Sequence, residues 1–212
     1  MKSRSIKNLI LCYNLSMKDK ELQKITDFLY ETGILAKTPR SGFFFLGSGE
    51  QSVAEHVNRV CYIAYCLAKM NGEVDTGKVV QMALFHDISE SRISDLNYVH
   101  QKYTERLEDK AHQDLADSLP FGEDVKELID EYEERESIES KIVKDADNLE
   151  FIISLKEQYD IGNERAHAWL PPALQRLKTE EAQELGKVIM EVDSDRWWFG
   201  EKDDSWWVNR DK

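Results

Sequence analysis

A histidine followed at once by an aspartate, His86-Asp87, closes a strongly apolar run of Val79, Val80, Met82, Ala83, Leu84 and Phe85. An imidazole and a carboxylate at the end of a buried helix need partners, and one divalent cation satisfies both. Alone the dipeptide means little, because a helix-end imidazole beside a capping carboxylate is an ordinary pairing in an acidic chain. His56 adds to it from a second apolar helical stretch, with Glu55 before it and Asn58 and Arg59 after. A lone histidine there is more often a satisfied core residue; its value is as a second imidazole on a second buried helix. Asp147 comes from the longest apolar stretch, where Ile142, Val143, Ala146, Leu149, Ile152, Ile153 and Leu155 leave little polar width. A carboxylate in such a helix is costly unless paired. Two imidazoles and two carboxylates form a mixed donor set suited to Mn²⁺, Fe²⁺, Co²⁺, Zn²⁺ or Mg²⁺, and an octahedral ion would keep room for water and a phosphate oxygen.

The elements that must position these residues read as helices. Leu22, Ile25, Phe28 and Leu29 form one stripe that ends near Gly33, and Pro39-Arg40-Ser41-Gly42 is a turn. Phe43 to Gly49 reads as a loop with unusually large apolar side chains. Ser52 can cap a helix with Val53, Val57, Val60, Ile63, Ala64 and Leu67 on its core face, closed by Gly72. Asp75 or Thr76 starts the next, which carries Val79, Val80, Ala83 and Leu84 into His86-Asp87. A polar connection over 89–103 bends around a site, and helices follow over 104–118, 124–134, 138–159 and 180–192. No internal repeat or linker interrupts them. The expected organisation is an arm over 1–17, one all-α domain over 18–195, and a Trp-rich tail over 196–212 packing on the domain or a partner subunit.

Composition agrees with one helical domain. The chain has 212 residues with only 10 Gly and 4 Pro, which disfavours a turn-rich β-sandwich. No stretch approaches the roughly 20 apolar residues that a membrane span needs, and the run Asn8 to Tyr13 is short and lacks a cleavage site, so it reads as an ordered arm. Cys12, Cys61 and Cys66 make an odd set without a Cys-x-x-Cys pair; Cys61 and Cys66 read as buried free thiols in a reducing cytoplasm. The net charge of -13 disfavours nucleic-acid polymers and anionic membranes. A small phosphate ester remains open, because one bound dication and one arginine reverse the field locally.

The order His56, His86-Asp87, Asp147 resembles the H…HD…D signature of the HD superfamily of metal-dependent phosphohydrolases. Ser52-Val53-Ala54-Glu55-His56, Ala83-Leu84-Phe85-His86-Asp87-Ile88-Ser89-Glu90, Ser94-Asp95-Leu96 and Lys144-Asp145-Ala146-Asp147 resemble its 5'-deoxynucleotidase-like branch, over about residues 20–195. The resemblance implies a single HD-domain helical bundle of orthogonally packed helices that removes phosphate from nucleoside 5'-monophosphates, deoxyribonucleotides in particular. It implies one divalent metal ion (Mn, Co, Fe, Zn or Mg) on His56, His86, Asp87 and Asp147, and a homodimer. Glu90, four residues after His86, matches the acid that activates the attacking water or protonates the leaving sugar oxygen. Asp95 matches a sugar-contacting aspartate, although the family usually has Gly where this chain has Ser94. Arg40 matches a phosphate-contacting arginine, but Ser41 follows it where the best-defined nucleotidase pattern has tryptophan. Lys144 suits either phosphate or an ion pair, and His100, His112 and His167 fit no ligand spacing. The same metal set would also serve an HD-type phosphodiesterase or a nucleotide pyrophosphohydrolase. A non-catalytic nucleotide-binding scaffold is the third reading, and so many polar groups at buried positions argue against it.

Overall fold

The 3.6-residue apolar spacing becomes helix throughout the described chain, residues 16–105 and 107–199 of a computed structural model. α1 spans Met17–Thr32, and a 3₁₀ turn at Leu35–Lys37 leads to the one-turn helix α2, Phe43–Leu46. α3 (Val53–Asn71) and α4 (Thr76–Phe85) pack against each other, followed by the one-turn helices α5 (Glu90–Ile93) and α6 (Tyr98–Gln101). α7 (Glu108–Ser118) and α8 (Gly122–Glu134) form a second pair. α9 (Ile138–Asp160) is the longest, and α10 (Glu164–Leu174), α11 (Glu180–Glu191) and α12 (Arg196–Phe199) complete the order. No strand occurs among the described residues, and the all-α expectation holds.

Local chemistry sets the helix ends. At the start of α3, Ser52 Oγ accepts from the Glu55 amide at 3.2 Å while the Glu55 carboxylate accepts from the Ser52 amide at 2.7 Å, a reciprocal capping box. Gly72 ends α3 in the left-handed region at φ 78°, where a Cβ would be strained. Asp75 caps α4 by accepting from the Gly77 and Lys78 amides. The turn between α7 and α8 admits only glycine at 122, because a Cβ there would lie 1.9 Å from the Ala116 carbonyl oxygen.

α9 is the central strut, packed against α3, α4, α8, α10 and α11. Its Ile142, Val143, Ala146, Leu149, Ile152 and Leu155 are fully buried against Val60, Ala64 and Leu67 of α3 and Val79, Met82 and Ala83 of α4. A second cluster joins α3 to the α7–α8 pair through Val53, Val57, Leu115, Val125 and Ile129, with Leu35 and Ile88. The turn before α2 is tied to the start of α3 by an isolated bridge. Arg40 N donates to Gln51 O at 2.8 Å and Val53 N to Thr38 O at 2.9 Å.

Several expectations need correction. Phe43–Leu46 is a helical turn rather than loop, and the connection after His86 contains α5 and α6. The α1 stripe forms as a helix, but none of its residues is buried, and Leu22 and Leu29 are exposed. Leu84 also faces outward. Cys61 is half-buried and Cys66 exposed, rather than both buried. His112, read like His100 and His167 as a surface residue or one behind the site, is buried inside α7, while His167 is exposed as that reading has it and stacks on Tyr159. α10 was not anticipated, since Pro171 and Pro172 lie within it. They occupy exposed positions in its last turns, and the Asn163 side chain nucleates it by accepting from the Arg165 and Ala166 amides. Cys12, the expected arm up to residue 15, and Trp206 and Trp207 of the tail lie outside the described residues.

Candidate metal centre

Three helical segments bring the chemistry-bearing side chains to one point. His56 sits on the first turns of α3, and Asp147 at the middle of α9. α4 stops at Phe85, and residues 86–89 continue as a tight turn with bonds from Ile88 N to Phe85 O (3.1 Å) and Glu90 N to Asp87 O (3.0 Å). That tightening turns His86 and Asp87 inward and carries Glu90 into the first turn of α5. His56 Nε2 lies 3.3 Å from Asp147 Oδ1 and 3.4 Å from Asp87 Oδ2, and His86 Nε2 lies 3.3 Å from Asp87 Oδ2. The ring centroids of the two histidines are 5.6 Å apart.

Both rings are held from behind. His86 Nδ1 is 2.7 Å from the Ala83 carbonyl oxygen, which can only accept, so Nδ1 carries the hydrogen. His56 Nδ1 is 2.6 Å from Glu150 Oε2. Burial and Arg40 work against a charge on His56, but Asp147, Asp87 and Glu150 raise its pKa well above the ordinary value; a ring that gives up its Nε2 proton to a cation would turn that lone pair toward the carboxylates. Despite the short separations, the directions do not suit hydrogen bonds, and both Nε2 atoms are buried without a hydrogen-bond partner among the described residues. Orphaned ring nitrogens beside carboxylates are costly in a protein alone and suit a divalent cation. Single ligand atoms of His56, His86 and Asp147 all fall within 4.8 Å of one another, and Asp87 Oδ2 stands between the two imidazoles.

The surrounding charges complete the site. Burial alone would raise the Asp87 carboxyl, but His86 and His56 hold it well below the ordinary range. Asp147 is likewise held low against its burial, by Lys144 and the imidazoles, and its Oδ2 accepts from Lys144 Nζ at 2.7 Å. The Arg40 guanidinium is poised between Asp87 (3.5 Å) and Asp95 (3.8 Å); burial works against its charge, but the carboxylates around it prevail. Glu90 is buried with Oε2 unpartnered, and burial followed by the charges of Asp87 and Asp95 pushes its carboxyl up to about 9. Tyr132 covers the centre, its ring edge-on to His86 at 5.3 Å and its hydroxyl 3.4 Å from Asp147 Oδ2.

The HD-domain family matches residues 32–189, more than half of the chain. The chain belongs to the HD-domain family. Within this HD family it lies with the 5'-deoxynucleotidase-like branch: a 5'-deoxynucleotidase from Bos taurus is 29% identical over 70% of this chain and 74% of its own length. Another from Enterobacter sp. is 30% identical over 66% of this chain and 78% of that one. Among solved structures, a conserved hypothetical protein from Pyrococcus furiosus is 32% identical and superposes with a TM-score of 0.66, covering 78% of this chain and 97% of its own.

All seven residues singled out from the sequence meet at this HD-domain centre, but three supporting residues escaped notice. Glu150, Arg59 and Tyr132 touch the centre or back it. Helical spacing held the signal for two of them, since Glu150 lies three residues past Asp147 and Arg59 three past His56, on the faces that carry the candidate ligands. Asp145 has a separate task. It accepts from the Lys178 and Thr179 amides and so anchors the start of α11 to α9.

Ser94 adopts φ 65° and ψ 162°, a region that essentially only glycine occupies freely. This kink places Asp95 to accept from the Ser41 amide at 2.8 Å. Strain of about 1–3 kcal/mol there exceeds the roughly 0.5–1 kcal/mol of chain entropy that a glycine adds. Ser94→Gly is therefore expected to stabilise the fold by about 1 kcal/mol. An unchanged or lower urea midpoint in the variant would count against the strain.

Proposed function

We propose that this chain is a metal-dependent phosphohydrolase that removes phosphate from nucleoside 5'-monophosphates, deoxyribonucleotides in particular. The observation that carries the reading is the pair of buried, unpartnered imidazole nitrogens converging with two carboxylates. The curated relatives named 5'-deoxynucleotidase support the substrate class. His56, His86, Asp87 and Asp147 would hold one divalent ion among Mn, Co, Fe, Zn and Mg. Such an ion, when bound, lowers the pKa of a coordinated water and offsets phosphate charge.

The chain's own side chains have separable tasks. Arg40 is fixed by Asp87 and Asp95 with its guanidinium at the centre, where a planar, permanently charged group suits phosphate oxygens. Glu90 can carry a proton at neutral pH and pass it to a leaving sugar oxygen. Asp95, braced by the Ser41 amide, is the sugar contact. Lys144 neutralises Asp147 and adds positive charge at the mouth.

The reading includes a cytoplasmic homodimer. The exposed apolar residues of α1, Met17, Leu22, Leu29 and Tyr30, support a subunit contact, and the free thiols of Cys61 and Cys66 suit a reducing compartment. No helix among the described residues is long and apolar enough to cross a membrane.

The test is a phosphate-release assay over all ribo- and deoxyribonucleoside 5'-monophosphates with each of the five metals, alongside a phosphodiester and a nucleoside polyphosphate. Release confined to monophosphates, and lost in chelator, is the expected result. A metal-loaded preparation that frees no phosphate from any monophosphate would sink the nucleotidase reading.

A further inference from the structure

The imidazole of His56 is backed by a carboxylate to which the proposed chemistry assigns no step. Glu150 is 1% exposed, and its Oε2 accepts from His56 Nδ1 at 2.6 Å. Its Oε1 accepts from Gln51 Nε2 at 2.7 Å, from Arg59 Nε at 2.9 Å and Nη2 at 2.7 Å, and from Ser154 Oγ at 3.1 Å. Arg59 is itself held, giving Nη1 to Glu157 at 2.7 Å and Nη2 to Ser154 Oγ at 2.6 Å. Both oxygens of a buried ion are thus engaged, Oε1 by three neighbouring side chains, which favours the charged form of a buried carboxylate.

The two imidazoles are not backed alike. His86 leans on a neutral backbone carbonyl, whereas His56 leans on a full negative charge. A carboxylate can only accept, so Nδ1 must carry the hydrogen, and the neutral ring that a cation requires then offers its lone pair from Nε2, beside Asp87 and Asp147. A neutral amide at position 150 could donate or accept and would leave the ring's tautomer open. A buried ion pair is also a poor source of stability compared with neutral packing, so stability alone does not account for the arrangement.

We infer that Glu150, clamped by Arg59, is a positioning residue that fixes the tautomer and orientation of His56 and strengthens its hold on a divalent cation. The inference rests on the metal reading above and extends it to residues behind the centre.

Zn²⁺ affinity, measured by competition with a chromophoric chelator, tests it in Glu150→Gln and in the double variant Arg59→Met/Glu150→Gln. The single variant takes the buried carboxylate from half-buried Arg59, leaving it Glu157 alone as an ionic partner, and melts lower in chelator, while the double variant removes both charges and recovers much of that loss. Both are expected to bind Zn²⁺ about 10–100-fold more weakly than wild type. Affinity that returns to the wild-type value in the folded double variant, or failure of both variants to fold, would make the pair structural and overturn the inference. Wild-type protein that takes up no Zn²⁺ or other divalent cation would instead bring down the metal reading, and this inference with it.

Discussion

Glu90→Gln is expected to slow phosphate release from a nucleoside 5'-monophosphate by about 10²–10⁴-fold, the usual worth of a positioned acid or base. The amide keeps the shape of the side chain and cannot move a proton, so cation uptake should persist while turnover falls. The buried, unpartnered Oε2 makes the residue available to a substrate atom. The same burial, with Asp87 and Asp95 nearby, lifts the carboxyl from 4.5 to about 9. A group protonated at neutral pH can serve as the acid. Wild-type turnover in a Glu90→Gln preparation with full cation content would remove Glu90 from the chemistry.

The same shift has a signature in stability. A folded-state value above the unfolded one means that the folded protein holds more protons between the two. The contribution of Glu90 is therefore complete below the ordinary carboxyl range and is lost as pH rises toward about 9. In chelator, wild-type stability is expected to fall with rising pH more steeply than that of Glu90→Gln. Parallel curves for the two proteins between about pH 5 and 9 would contradict the shift.

His86→Ala is expected to abolish both cation uptake and phosphate release. The wild-type protein should gain about 2.7 kcal/mol from a cation at one hundred times its dissociation constant. For a chain of this size that corresponds to a rise of roughly 5–10 °C in melting temperature. The variant should show no such rise, although it melts lower in chelator because a buried ring has been removed. Calorimetric scans with and without Zn²⁺ or Mn²⁺ read both effects. A variant that still gains several degrees from the cation would place the binding site elsewhere.

The candidate ligand set was legible because each residue broke a local pattern. His56 and Asp147 interrupt apolar faces, and His86-Asp87 ends one, so polar chemistry stood out at positions that periodicity assigns to the interior. Arg40 and Asp95 were reachable only through family resemblance, since an arginine in a turn and an aspartate in a loop are commonplace. Glu150 and Arg59 were missed because each looks like a solvated charge until the α3–α9 contact is known. The α1 stripe misled in the opposite sense: its spacing dictates a helix, but only Phe28 packs against a core cluster and no residue of α1 is fully buried. Pro171 and Pro172 hid α10, since proline past the first turn of a helix removes an i→i−4 hydrogen bond and usually ends it.

The sequence by itself determined the longer helices other than α10, most of their ends and the candidate ligands. These follow from short-range rules, capping hydrogen bonds and 3.6-residue periodicity, that act within a few residues of chain. Tertiary structure alone decided that the 39–52 bridge sets Arg40 beside Asp87, that Ser94 kinks to aim Asp95, and that Glu150 stands behind His56. The last of these contacts spans 94 positions of chain, and its hydrogen bond has value only once α3 and α9 have excluded water from between them.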